Sequence, residues 1–160
     1  MKIIIDAMGG DLAPQAPVRG GLQAAKEFGV EVLFTGNEAA IRHVMKQDGY
    51  DELPAGVEIV NCTEVVDNCD DPSIVWRKKP DSSMTVGLKL LKASRGNAFI
   101  SAGSTGALLS GATLLVRRIR GVKRAAVAPS LPTGRGRAVL IDAGANSECT
   151  VEQLVQFAVM

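Results

Sequence analysis

Three short stretches of this chain combine glycine with hydroxyl, amide or carboxylate side chains in a pattern suited to an anionic ligand. The first is Asp6-Ala7-Met8-Gly9-Gly10-Asp11. Paired glycines let backbone approach a ligand closely, because no Cβ stands in the way. Asp6 and Asp11 can orient a donor or bind a cation, and the same residues also make an ordinary tight turn. The second is Ser101-Ala102-Gly103-Ser104-Thr105-Gly106. Gly103, Ser104, Thr105 and Gly106 offer N–H groups and two hydroxyls at a helix start. Unpaired N–H groups and the positive dipole end favour phosphate there. In this reading the absent side chain of Gly106 leaves the ligand room to approach; the competing reading is an N-cap followed by a packing glycine. The third is Asp142-Ala143-Gly144-Ala145-Asn146-Ser147. Gly144 and Asn146 are candidates to hold a carbonyl oxygen or a phosphate, or they form a loop before the next helix. None of the three is a Walker loop or a GxGxxG fingerprint.

Other reactive residue types are sparse. Cys62, Cys69 and Cys149 are odd in number and lack CxxC spacing, which argues against a disulfide framework or a zinc site and fits a reducing cytosol. Cys149 lies just before a predicted helix start, where a thiolate is stabilised, but no histidine follows the single His43 to act as its base. Cys62 and Cys69 read as inert thiols. Arg77-Lys78-Lys79 is either an anion clamp or a solvated charge run, and Trp76 reads as a packing residue. With four Phe, one Tyr and one Trp, aromatics are too few for base stacking, and nucleic acid is not an expected partner.

The formal net charge of +1 hides a strong asymmetry. Residues 1–81 carry 8 basic and 14 acidic side chains, residues 82–141 carry 10 basic and none acidic, and residues 142–160 carry three acidic and no basic ones. A basic segment of this kind suits an acidic partner, with Arg117, Arg118, Arg120, Lys123 and Arg124 as its densest part. The alternative is a set of solvated helix faces balanced in space by the acidic first half.

These motifs need a framework, and the apolar pattern supplies one. Short apolar runs predict strands at 2–6, 31–34, 57–60, 98–101, 125–128 and 138–141. Helical spacing predicts helices at 14–28, from Asn37 to 45, at 83–95 and at 105–119, and a last one opened by a Thr150-x-x-Gln153 capping box. Alternating strands and helices, with strands apolar on both sides, imply an α/β fold with a mostly parallel sheet covered on both faces. At 160 residues the chain is expected to form a single α/β unit over 1–160. The last helix carries Val151, Leu154, Val155 and Ala158 on one face and reaches Met160 without a C-cap, so the chain reads as a fragment incomplete at that end. No apolar run approaches the ~20 residues of a membrane span. The opening Met1-Lys2-Ile3-Ile4-Ile5-Asp6 meets an acid too early for a signal peptide.

Taken in order, Asp6–Asp11, Arg77-Lys78-Lys79-Pro80-Asp81-Ser82-Ser83-Met84, Ser101–Ala107 and Asp142–Asn146 resemble the amino-terminal half of the bacterial PlsX-type phosphate acyltransferases. The resemblance covers the whole chain. Ser104 stands where the family usually has Asn, so it carries over the backbone N–H groups of that loop rather than a side-chain role. It implies a three-layer α/β/α fold similar to the isocitrate and isopropylmalate dehydrogenases and to phosphotransacetylases. It implies transfer of a fatty acyl group from acyl carrier protein to inorganic phosphate, giving acyl phosphate for phosphatidic acid synthesis. It further implies a cytoplasmic homodimer associated peripherally with the inner face of the membrane.

The residues accommodate that chemistry. Phosphate must be stripped of water, held by N–H donors and aimed at a thioester carbonyl, whose oxygen gains charge and needs fixed donors. Gly9, Gly10, Asp11, Gly103, Ser104, Thr105, Gly106, Gly144 and Asn146 are the candidate binding residues, with no metal and no cofactor expected. Acyl carrier proteins are acidic, which matches the basic segment. No general base is identified, and the resemblance implies that important catalytic side chains lie in a second half, so the isolated chain is expected to be inactive. Two other classes remain open: an actin-like kinase or ATPase, whose strands should continue into hairpins after the Asp-containing turns, and a non-catalytic module that binds an anion or partner.

Overall fold

Ile3, Ile4 and Ile5 are consecutive β-branched residues, stiff at χ1 and suited to a pleated surface. They form strand β1 (Lys2–Asp6) in the computed structural model, which describes residues 1–160. β1 has a parallel neighbour on each side, β2 (Glu31–Gly36) and β4 (Ala98–Ile100), and β3 (Val57–Asn61) pairs parallel with the far side of β2. The sheet order is β3-β2-β1-β4. Ile5 is in register with both Phe34 and Ile100. The predicted parallel α/β sheet therefore forms, with β1 inside it.

Alternate side chains of the strands feed two separate cores, as period-two geometry requires. Ile5 and Ala7, with Val32, Phe34 and Val57, pack with Val18 and Leu22 of α1 (Gln15–Phe28) and with Ile41, Val44 and Met45 of α2 (Glu38–Gln47). The opposite face presents Ile4 and its register partner Phe99. There the short α3 (Val75–Lys78), α4 (Ser83–Lys92) and α5 (Thr105–Gly111) contribute Val75, Met84, Leu88 and Ala107 to the second core. Helices on both faces complete three layers. Their ends are set locally: Asn37 accepts from the Ala40 N–H and Ser82 from the Thr85 N–H, while Gly29 closes α1 in the left-handed region at φ 62°.

The chain divides into two compact units, Met1–Val116 and Arg117–Met160, where the sequence pattern predicts one. The parallel sheet lies within the first. The helix predicted over 105–119 ends early: α5 passes into a π-helical stretch, Ala112–Val116, and Arg117 turns into the left-handed region at φ 81°.

In the second unit the strand predicted at 125–128 does not form. Its ladder groups are taken by the 142–146 turn. The Val127 N–H donates to Asp142 Oδ1 at 2.7 Å, the Val127 carbonyl accepts the Ala143 N–H at 2.9 Å, and the Ala125 carbonyl accepts Asn146 Nδ2 at 3.1 Å. The strand predicted at 138–141 becomes β6 (Gly136–Val139), paired antiparallel with β5 (Ser130–Thr133) across a tight turn at Gly134-Arg135. The predicted capping box does open α6 (Val151–Val159), with Thr150 and Gln153 bonding each other's backbone N–H.

α1 lies close to the sheet because Gly21 has no side chain. A Cβ there would stand 2.5 Å from Phe34 Cζ and 2.9 Å from Ile5 Cδ1. Both neighbours are buried in β-strands and cannot retreat. Gly21→Ala is expected to destabilise the chain by about 1–3 kcal/mol through overpacking, despite its gain in helix propensity. Urea unfolding of the variant measures this as a lower midpoint at unchanged slope.

Candidate functional site

The order β3-β2-β1-β4 means that the chain moves outward from β1 to β3 and then returns to the other side of β1. The loops after β1 and β4 consequently leave neighbouring parallel strands toward opposite faces, α1 following one and α5 the other. A crevice opens between such loops at the carboxyl ends of the strands, and ligands of open α/β sheets bind in it. The first two glycine motifs of the sequence are these two loops.

Their contact is close and specific. Asp6, 2% exposed at the end of β1, accepts the Met8 N–H at Oδ1 (3.1 Å) and the Ser101 hydroxyl at Oδ2 (2.7 Å). Ser101 Oγ in turn accepts the Gly103 N–H at 3.1 Å. Gly9 sits within this network. A Cβ on it would lie 2.6 Å from Asp6 Oδ2 and 2.9 Å from both the Gly103 nitrogen and Ser101 Oγ. Gly10 has φ 99°, and a Cβ there would meet Ala102 Cβ at 3.0 Å. Asp11 is exposed at the rim.

Beside the loops lies a cavity of about 580 Å³. Its polar end is Asp6, Gly9 and Ser101, and its wall along α1 is Ala16, Gly20 and Ala24, facing Ile5 and Ile100. Pattern reading missed this cavity. The available signal was the run of small residues at helical spacing on α1, a helix otherwise read only for its apolar positions. It also missed the Asp6–Ser101 bond, which joins residues 95 apart and leaves no local trace.

At the start of α5 the two readings of the second motif separate. Ser104 is the N-cap and its hydroxyl oxygen accepts the Ala107 N–H at 3.4 Å. Thr105 and Gly106 are exposed, and their N–H groups belong to the first helical turn, which has no partner within the helix. Gly106 requires a correction. A Cβ there would meet Pro72 Cγ at 3.1 Å, so its missing side chain admits the 61–72 loop rather than a ligand.

The third motif lies in the second unit and also requires correction. Gly144, at φ 98°, makes the turn. Both side-chain hydrogens of Asn146 are used inside it, by the Ala125 carbonyl at 3.1 Å and Asp142 Oδ2 at 2.9 Å, and its backbone N–H bonds the same carboxylate at 2.7 Å. Asn146 has no donor left for a phosphate or carbonyl oxygen. Burial pushes the Asp142 carboxyl up, but the donors Val127 N–H, Asn146 and Ala145 N–H outweigh it and hold the carboxyl below the ordinary carboxylate value.

Arg117, Arg118, Arg120, Lys123 and Arg124 are all exposed in the second unit. Lys123 is held by Glu152 at 2.7 Å, leaving the four arginines without such a partner. In the first unit Lys79 is bound to Asp70 and to the Val65 carbonyl, and Arg77 stacks over Trp76 at 4.5 Å, so this basic run braces its own loop. Burial, with the charge of Asp81 adding to it, pushes the Cys62 thiol up to about 11, which keeps it protonated and inert. β1 runs into α1 and the 142–146 turn precedes α6, so the hairpins of an actin-like site are not found after these turns.

Known proteins share this sequence and fold. Residues 1–160 match the family described as fatty acid synthesis protein. The chain is 46% identical over 160 residues to the phosphate acyltransferase of Alkaliphilus oremlandii, covering 100% of this chain and 47% of that protein. It is 46% identical over 161 residues to the phosphate acyltransferase of Thermoanaerobacter pseudethanolicus, with the same coverage. The chain thus spans about half the length of the curated relatives it matches. The crystal structure of a phosphotransacetylase from Streptococcus pyogenes superposes with a TM-score of 0.72 at 21% identity, over 99% of this chain and 51% of that one, a likeness of fold.

The lowered Asp142 carboxyl has a pH consequence. A depressed folded-state pKa contributes stability that is fully present above the unfolded value, near 3.9, and is lost as pH falls through the folded value. Amide exchange at Val127 and Asn146 is expected to be slow above about pH 5 and to speed up, relative to its intrinsic rate, below about pH 4. In Asp142→Asn the acid-dependent step should vanish, and exchange should be fast across the range.

Proposed function

The chain belongs to the fatty acid synthesis protein family, and from this we propose that it forms the phosphate-binding half of an acyltransferase moving a fatty acyl group from an acyl carrier protein thioester to inorganic phosphate. The product is an acyl phosphate, the activated acyl donor for phosphatidic acid synthesis. The observation that carries the reading is the meeting of the two glycine loops at the carboxyl ends of β1 and β4, with Gly9 and Gly10 packed against Ser101–Gly103.

In this reading the backbone N–H groups of the exposed residues Gly10, Ala102, Thr105 and Gly106 hold the phosphate, with the Thr105 hydroxyl beside them. A phosphate oxygen attacks the thioester carbonyl carbon. The C=O electrons move onto oxygen, then return as the C–S bond breaks and the carrier leaves as its thiolate. Fixed N–H donors favour the charge that develops on the carbonyl oxygen. The apolar cavity along α1 offers surface for the acyl chain. No residue of this chain is assigned as a base, and neither Asn146 nor Gly144 is given a ligand. Arg117, Arg118, Arg120 and Arg124 would meet the acidic carrier protein, with Lys123 partly neutralised by Glu152. The reading extends to a cytoplasmic homodimer lying peripherally at the inner face of the membrane; no helix is long and apolar enough to cross one.

Acyl transfer is tested by joining the chain to the second half of a curated relative and supplying acyl-loaded carrier protein with inorganic phosphate. Acyl phosphate, trapped by hydroxylamine, is expected from the joined protein and not from the 160-residue chain alone. A folded joined protein that makes none, beside an active relative, overturns the proposal.

The carrier contact makes a separate claim. In the joined protein Arg117→Glu with Arg118→Glu is expected to slow carrier capture about tenfold at low salt and to flatten its salt dependence, because surface charge acts mainly on association. Unchanged capture kinetics at low ionic strength would show these arginines to be solvated charges only.

A further inference from the structure

The crevice depends on a side chain whose two carboxylate oxygens are both engaged by the protein itself. We infer that Asp6 is a positioning residue, which through the Ser101 hydroxyl holds the loop after β4 in the shape that presents its N–H groups to phosphate; this rests on the phosphate reading above.

The geometry is a relay. A hydroxyl has one proton to give. Ser101 gives its proton to Asp6 Oδ2 at 2.7 Å, which directs its lone pairs and leaves one to accept the Gly103 N–H at 3.1 Å. The other carboxylate oxygen holds the Met8 N–H at 3.1 Å, so one side chain shapes both loops. Gly9 fills the space between, with no room for a Cβ. Neither loop can shift without breaking a bond that leads to a buried carboxylate, a costly loss. Ala102, an exposed residue, lies between Ser101 and Gly103, which the relay pins, and exposed Gly10 follows Gly9, which fits against the same groups.

The test uses the 160-residue chain, its Ser101→Ala, Ser101→Thr and Asp6→Asn variants, and inorganic phosphate titrated by ³¹P NMR beside thermal unfolding. Phosphate is expected to bind the parent chain and to slow amide exchange at Gly103. Ser101→Ala and Asp6→Asn should weaken phosphate binding by about tenfold or more, and Ser101→Thr, which keeps the hydroxyl, should restore it to within about threefold. A parent chain that binds no phosphate overturns the phosphate reading and this inference with it. If the parent binds and the variants bind equally well, the crevice remains a phosphate site and the positioning role of Asp6 is overturned. If threonine restores thermal stability but not phosphate binding, the relay is structural alone and the inference also fails. Should Ser101→Ala and Asp6→Asn not fold, the parent chain decides: unchanged Gly103 exchange at saturating phosphate overturns the inference.

Discussion

A carboxylate taken out of water must be met by hydrogen-bond donors, and the cost of failing to do so exceeds most single interactions in a protein. Asp6 imposes this demand at the end of the strand that lies inside the sheet. One donor, the Met8 N–H, comes from its own loop, and the other, the Ser101 hydroxyl, arrives from the loop after β4, 95 residues away. The pairing of β1 with β4 brings them together, and the hydrogen bond then holds the pairing at its carboxyl end. Everything that follows these strands, the two glycine loops and the starts of α1 and α5, is placed relative to that junction.

The layers around β1 obey a steric version of the same economy. α1 approaches the sheet closely because Gly21 lies over Phe34, and the two loops touch because Gly9 lies over Asp6 and Ser101. In both places glycine is needed for what its neighbour occupies, not for a special backbone angle. The α1 surface beside Gly21 is also small-featured, and the cavity lined by Ala16, Gly20 and Ala24 is the space that results. Close packing and an adjoining apolar cavity thus have one origin in the composition of a single helix.

The sequence contains three turns of similar chemistry, and the fold treats them differently. The first two stand on neighbouring parallel strands, where Gly9 and Gly10 pack against residues 101–103. The third folds back on itself: Asp142 and Asn146 satisfy each other and capture the backbone of residues 125–127, so that a predicted strand is lost and the donors of Asn146 are used. At Gly106 the space of the missing side chain is bordered by Pro72 from a distant loop, while the backbone N–H stays at the start of α5. A donor is available for binding only where the protein has not already used it, and local sequence does not contain that information.

Much of the first unit was legible in order. The apolar run Ile3–Ile5, the Asn37 cap, Gly29 and, in the second unit, the Thr150–Gln153 box act over a few residues, so these element types and the parallel α/β class follow from the chain alone. The excess of basic side chains from residue 82 to 141 is likewise written in the chain. Tertiary structure decided which loops became neighbours, that Asp6 reaches Ser101, that Lys79 braces a loop, and that residues 130–139 form a hairpin while 125–128 forms no strand. The division has a physical basis. Capping, helical periodicity and turn geometry are short-range and written in adjacent residues, whereas the pairing of strands and the competition for buried donors depend on contacts between segments far apart in the chain, and those exist only once it has folded.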